Sequence, residues 1–121
     1  MTCPTPTLPA TWAPLEAALR QRHPVWVSYH GLRRLICPHA LGWKRGRALL
    51  LAYQSGGQTT DGALPADPRK RWRCLFVDEV DHVAIDREAQ WESASNYNCS
   101  RPFSAIDDVT VAVPAGPPGG S

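Results

Sequence analysis

Over residues 25–30 the chain alternates with a period of two. Val25, Val27 and Tyr29 fall on one side of an extended chain, and Trp26, Ser28 and His30 fall on the other. That is the pattern of a half-buried strand. Gly31 is the turn residue. Residues 33–37 return as the hairpin partner, with Leu35 and Cys37 on one face and Arg34 and Ile36 on the other. Pro38 suits a strand end, because it has no N–H for a central ladder. Residues 39–43 continue extended, and Lys44-Arg45-Gly46 makes a basic turn. Residues 47–53 are the most apolar stretch and the expected central strand.

A different period precedes these strands. Trp12, Leu15, Ala18 and Leu19 recur at helical spacing, with Thr11 placed as N-cap and Pro14 tolerable in the first turn. Glu16 early and Arg20 and Arg22 late complement the helix dipole, and Pro24 ends the helix. After the central strand, residues 55–68 are rich in Gly, Thr, Asp and Pro and read as a long loop. Residues 71–77 alternate again: Arg73, Leu75 and Val77 face one way, Trp72, Cys74 and Phe76 the other. A helical turn capped by Asp78 follows, then a short strand over 83–85, a helical piece around Trp91 over 87–95, and a last strand over 106–113. Residues 1–10 and 114–121 are Pro-rich and read as flexible tails. The expected domain is therefore a single unit over 11–113: one helix, then five or six short antiparallel strands. Strands of this length and order favour a mainly β, small and strongly bent barrel.

Composition narrows the function classes. A chain of 121 residues with 43% hydrophobic content supports one modest core. No apolar run approaches the roughly 20 residues of a membrane helix; the longest, residues 48–53, is strand-sized. The N-terminus shows no basic segment followed by an apolar one, so no export signal is expected and the compartment reads as cytoplasmic. Cys3, Cys37, Cys74 and Cys99 form no CxxC pair, and the four histidines add no tight ligand spacing. The expectation is reduced thiols, no metal and no cofactor.

Charge is informative by region. The net formal charge is +2, yet no Asp or Glu occurs between Ala17 and Thr60, a stretch holding Arg20, Arg22, Arg33, Arg34, Lys44, Arg45 and Arg47. Arg69, Lys70, Arg71 and Arg73 form a second basic cluster. The balance then reverses with Asp78, Glu79, Asp81, Asp86, Glu88 and Glu92. Such a polarised molecule has one face that attracts anions. Ordinary solvated charges are the bland alternative, of equal weight on the sequence alone.

Motifs for nucleotide loops, nucleophile elbows and metalloprotease helices are all missing. One pair could bear chemistry: Cys37 and His39, two apart on a strand and so on one face. Otherwise the chain is not expected to be an enzyme. What the strands offer instead is arginine beside aromatic rings. A strand-borne arginine presents a planar donor fork that matches phosphate. Tyr29, Tyr53, Trp43 and Trp72 are candidate stacking faces for bases.

Residues 15–80 resemble the WYL-domain family. The resemblance starts with a short helix leading into Val25-Trp26-Val27-Ser28-Tyr29, an alternating strand that ends in Tyr. It continues through Arg34-Leu35-Ile36-Cys37-Pro38-His39-Ala40-Leu41, an Arg-x-x-x-Pro pattern followed by an apolar pair. Arg73-Cys74-Leu75-Phe76-Val77-Asp78-Glu79-Val80 is similar to the family's Arg-x-Phe-x-apolar-Asp-x-Ile segment. The namesake triplet stands here as Ala48-Leu49-Leu50, Leu75 holds the usual Phe position, and Glu79 a commonly basic one. The resemblance implies an SH3- or Sm-like barrel and a ligand-sensing role linked to bacterial transcription regulation. It also implies a nucleotide or single-stranded nucleic acid as the anionic ligand. Carried over by position, it assigns ligand contact to Tyr29, Arg34 and Arg73. Arg47, His39 and Tyr53 are added by the strand reading. Only one helix precedes the barrel, so no helix-turn-helix is expected in this chain. A stand-alone sensor, a fragment or a partner subunit of a regulator fits that arrangement. The alternative function is a protein-interaction or regulatory subunit, including a homodimer, with no nucleic-acid ligand.

Overall fold

A computed structural model describes residues 9–59, 62, 64–94, 106 and 108–113. Helix α1 (Trp12–Gln21) buries Trp12, Leu15, Ala18 and Leu19. Thr11 does not cap it; its hydroxyl instead donates to the Val77 carbonyl at 2.8 Å. The helix ends where Arg22 turns left-handed, at φ 57°. The amides of Arg22 and His23 then satisfy the Leu19 and Ala18 carbonyls, and Pro24 prevents continuation.

Strands β1 (Val25–Tyr29), β2 (Leu32–Lys44) and β3 (Arg47–Gly57) follow through two tight hairpins. Their turn pairs, His30-Gly31 and Arg45-Gly46, hold all four residues at positive φ. This is the turn whose twist matches that of paired strands. β2 does not stop at Pro38 but runs through it. The β2–β3 ladder passes from Pro38↔Ala52 to Ala40↔Leu51, leaving His39 as an extra residue. This bulge bends the strand and accommodates a residue that cannot donate. The bend splits one edge of β2 between two partners. Its first half pairs with β1, and its second half, Ala40 to Trp43, pairs with β6 (Asp108–Ala112).

β4 (Trp72–Phe76) adds to β3, and β5 (Val80–Ile85) adds to β1. All pairings are antiparallel, and the path through the sheet is β4-β3-β2-β1-β5. Laid flat, that path would hold β4 and β5 about 19 Å apart, four interstrand spacings. Yet Phe76 and Val80 are four residues apart and joined by a 3-10 turn, Val77–Glu79. Even fully extended, four residues reach only about 14 Å. The sheet must therefore curl until its two ends meet at this corner. Among the described residues no ladder joins β4 to β5, so the bent sheet is not closed into a hydrogen-bonded barrel.

Alternation sorts side chains onto two faces. The inner face carries the main core: Val25, Val27, Tyr29, Ile36, Leu41, Leu50, Ala52, Leu75 and Val80, packed with the buried side of α1. The stacked rings of Trp12 and Trp43, 5.5 Å apart, join α1 to β2. The outer face carries a smaller cluster of Ala40, Leu49, Leu51 and Ile106, with Trp72 and Phe76 against it.

Several local expectations are corrected. β3 runs to Gly57, because Leu35↔Gly56 and Arg34↔Gly57 extend its ladder past Tyr53. β5 begins at Val80, drawn into pairing by Tyr29. The turn before it starts at Val77, without a side-chain cap from Asp78. Residues 87–94 are not helical; the Asp86 carboxylate accepts the amides of Glu88 and Ala89 and fixes a turn there. Of the expected tails 1–10 and 114–121, residues 1–8 and 114–121 lie outside the described residues, as does residue 95.

Candidate anion-binding site

The ladders place Ile36 beside Gln54, and Ala52 beside Arg73. Arg34 shares the inner face with Ile36, two residues away. Arg34, Gln54 and Arg73 thus form a polar row across β2, β3 and β4, at one end of an otherwise apolar interior. Tyr29 of β1 completes it: the Arg34 guanidinium lies over its ring, 5.5 Å from the centroid.

Gln54 is fully buried. Its Nε2 donates to the carbonyls of Gly56 (3.0 Å) and Gln58 (2.8 Å), which fixes the amide's orientation. Oε1 is thereby aimed at Arg73, accepting from Nε at 3.2 Å. Arg73 Nη1 donates to the carbonyls of Lys70 (3.3 Å) and Trp72 (3.1 Å). Among the described residues every acceptor on Arg73 is neutral, so the side chain is held with no described carboxylate against it. Its Nη2 makes no hydrogen bond to a described residue. Arg34 is buried, with 4% of its surface exposed. Burial, and secondly the Arg73 charge, lower its pKa from the ordinary arginine value.

Arg33 and Arg71 are held in the same way. Arg33 Nη1 reaches Ser28 Oγ (3.4 Å) and the His82 carbonyl (3.1 Å), and Arg71 Nε reaches the Pro65 carbonyl (2.8 Å). Among the described residues, Arg33, Arg71 and Arg73 pair with no carboxylate. Arg47 contrasts with all three. Its Nη2 contacts Asp78 and Glu79, each at 2.8 Å, and its guanidinium lies 3.7 Å from the Phe76 ring centroid. This places Arg47 at the β4–β5 corner with its charge locally balanced, away from the polar row.

Tyr29 itself is 7% exposed. Its hydroxyl accepts the Phe76 amide at 3.2 Å, across the unpaired seam between β4 and β5, and the His30 ring stacks on it at 4.0 Å. With Arg34 and His30 both against the ring, its place in the row is to position Arg34.

His39 and Tyr53 belong to the outer face. The His39 ring is stacked on Trp91 (4.8 Å) and meets Trp72 edge-on (4.7 Å), and Tyr53 meets Trp72 edge-on (5.2 Å). His39 Nδ1 bonds the Cys37 carbonyl at 2.7 Å and Nε2 the Ser93 hydroxyl at 2.9 Å. A neutral ring with its proton on Nδ1 satisfies both. Burial lowers the His39 pKa to about 4 and raises the Cys37 thiol to about 11. Both values oppose a thiolate–imidazolium pair. Cys37 Sγ instead accepts the Glu92 amide at 3.4 Å.

Of the six expected residues, then, Tyr29 and Arg34 touch, Arg73 lies in the same row across Gln54, Arg47 lies at the corner, and His39 and Tyr53 are on the opposite face. Gln54 was not foreseen. Its signal in the sequence is a lone amide ending an apolar strand just before Gly56-Gly57, where a pleat argument puts it inward. No helix among the described residues is long and apolar enough to cross a membrane, and none of their His, Cys, Asp and Glu side chains form a group of three able to hold a metal. Comparison with protein-family models, with curated proteins and with solved structures gives no match.

Proposed function

We propose that this chain is a binding module for an anionic ligand, a nucleotide or a single-stranded nucleic acid, acting as a WYL-like sensor in transcription regulation. In this reading the fold is an SH3- or Sm-like barrel left open along the β4–β5 seam. The corner turn and the Tyr29–Phe76 bond support that reading by bringing the outer strands together. No catalytic step is part of it.

The observation that carries the proposal is the hold on Arg73. Three neutral acceptors fix its guanidinium in the same row as Arg34, on the sheet, with Nη2 making no hydrogen bond to a described residue. An arginine kept for stability alone is more simply matched with a carboxylate, as Arg47 is.

Binding of a fluorescent single-stranded DNA or RNA, titrated against salt, tests this. Each phosphate neutralised contributes a slope of about −0.7 in log K against log salt, so engagement of two or three phosphates gives a slope of about −1.4 to −2.1. Arg73→Gln is expected to reduce the slope and weaken binding across sequences. Salt-independent or undetectable binding of oligonucleotides and mononucleotides alike would refute the proposal.

A further inference from the structure

The sheet path ends in β4 and β5, and the outer edges of these two strands differ. An exposed edge is a row of backbone donors and acceptors with which a second chain can pair. β5 carries a common protection. A bulge interrupts its ladder with β1, and His82 there is left-handed at φ 52°. β4 has neither a bulge in its ladder with β3 nor a proline.

The register fixes which groups β4 leaves at its edge. The Gln54 amide donates to the Arg71 carbonyl at 2.9 Å, so these two residues form a hydrogen-bonded pair. Such pairs alternate along an antiparallel ladder. Arg73 and Leu75 therefore turn their backbone groups toward Ala52 and Leu50 of β3, while Cys74 and Phe76 turn theirs to the edge. The Phe76 amide agrees, since it meets the Tyr29 hydroxyl and not β3. The N–H and C=O of Cys74 have no hydrogen-bond partner among the described residues, and Cys74 is exposed.

Charge is arranged about the same residue. Lys70 precedes Cys74 by four positions, and Asp78 follows it by four. Lys70 forms no ion pair among the described residues, and Asp78 keeps half of its side chain exposed beside Arg47. A second copy running antiparallel about Cys74 sets its Asp78 toward Lys70 and its Lys70 toward Asp78. A parallel copy would set like charge on like.

We propose that β4 is a self-association edge, on which two copies pair β4 to β4 in antiparallel register about a two-fold axis at Cys74. Each Cys74 N–H donates to the Cys74 carbonyl of the other copy, so the edge groups satisfy one another. The register centred on Leu75 instead needs the Phe76 amide, which Tyr29 already holds. Centred on Cys74, Trp72 lies opposite the second copy's Phe76, an aromatic cross-strand pair. The Lys70–Asp78 contacts close both ends. The same patch serves on each copy, as a two-fold interface requires, and one sheet runs through both. Strands of five residues make a small interface, in the range of transient complexes. Pairing of this kind is independent of the anion-binding reading.

Sedimentation equilibrium of the full chain from about 1 to about 500 μM tests it, a range that covers weak association. A monomer–dimer equilibrium is expected, and salt should weaken it by screening the Lys70–Asp78 contacts. Cys74→Pro should abolish the dimer. Proline removes the edge N–H, and that group faces away from β3, so the strand keeps its own ladder. Lys70→Glu and Asp78→Lys should each weaken the dimer at least about threefold, and the double variant should restore it. This charge exchange decides the matter even if the proline variant unfolds. The Cys74 amide, fast to exchange in dilute monomer, should slow as concentration rises. A chain that stays monomeric up to about 500 μM overturns the proposal. So does a dimer that persists in folded Cys74→Pro protein, that ignores the charge exchange, or that leaves the Cys74 amide unprotected.

Discussion

At the scale of single residues, the buried polar groups make the sharpest predictions. His39 is 1% exposed, and its Nε2 faces the Ser93 hydroxyl. Burial holds its pKa down to about 4, against an opposing pull from the Cys37 carbonyl and with a smaller lowering by the Arg22 charge. In the unfolded chain the ring takes a proton near pH 6.5. Between those values the unfolded state binds a proton that the folded state refuses. His39 therefore contributes full stability above about pH 6.5. That contribution is lost as pH falls toward 4 and amounts to about 3 kcal/mol in all. The carboxylates whose pKa values are lowered, Glu16, Asp67, Glu79 and Asp86, titrate mainly below that window. Urea unfolding at pH 7.5 and pH 5 is expected to show the loss, and His39→Gln should flatten it. An unchanged pH slope in the variant would show the ring to be uninvolved. Cys37 gives a second prediction. With its thiol raised to about 11, alkylation at pH 7.5 should be at least about a hundredfold slower than that of an unstructured cysteine peptide. Rapid, selective modification of Cys37 would restore the case for Cys37–His39 chemistry. Sequence placed these two on one strand but could not show which atoms they present. The His39 bulge is a tertiary feature, set by β3 and β6 pairing on either side of β2.

At the scale of elements, most of the fold was legible because the local signals agree. Helical spacing marked α1, period-two alternation marked β1 and β4, and a continuous apolar run marked β3. Two glycines marked the hairpins. Elements with conflicting signals went astray. Pro38 reads as a strand end, yet β2 passes through it because the adjacent bulge removes the need for its N–H. Residues 87–94 read as weakly helical, yet they make no hydrophobic stripe, and Asp86 captures their first amides. The pairing of β6 with the second half of β2 was not foreseen at all, since it depends on the bend. That pairing has one exacting position. A Cβ on Gly42 would fall 2.6 Å from Ile106 Cγ2 and against the Asp108 carbonyl, where β6 crosses closest to β2. Gly42→Ala should therefore push β6 off the sheet at a cost of about 1–3 kcal/mol, lowering the melting temperature by several degrees. Gly31→Ala is the useful comparison, because open space surrounds that position and only its left-handed backbone resists. A Gly42→Ala protein as stable as wild type would mean that β6 is not held as described.

At the scale of the whole molecule, one question is what keeps an unclosed sheet curled. The corner turn brings β4 and β5 together, but no ladder spans the seam. Across it, Tyr29 joins β1 to the Phe76 amide of β4, the Phe76 ring supports Arg47, Arg47 holds Asp78 and Glu79, and Glu79 meets His30, stacked on Tyr29. These contacts form a closed circuit around the corner. Its pairs among exposed charges are individually weak; the Tyr29–Phe76 bond is the part-buried link. Arg34 rests on the same tyrosine, so the circuit and the polar row share one residue. Alternation put Tyr29 on one side with Val25 and Val27, and Arg34 with Ile36; it could not show that the tyrosine hydroxyl crosses to another strand. Amide exchange tests the arrangement. The β2–β3 ladder, flanked on both sides, should exchange slowest, and the outer edges of β4 and β5 fastest. Phe76 is expected to be the exception, an edge amide protected by the Tyr29 hydroxyl. Tyr29→Phe removes that acceptor alone, so Phe76 exchange should rise selectively, with a loss of about 1 kcal/mol in global stability. If Phe76 exchanges as fast as its edge neighbours in the wild-type protein, the seam is open there and Arg34 lacks the support assigned to it. If exchange rises across the whole sheet in the variant, the tyrosine holds up the core as a whole rather than this seam.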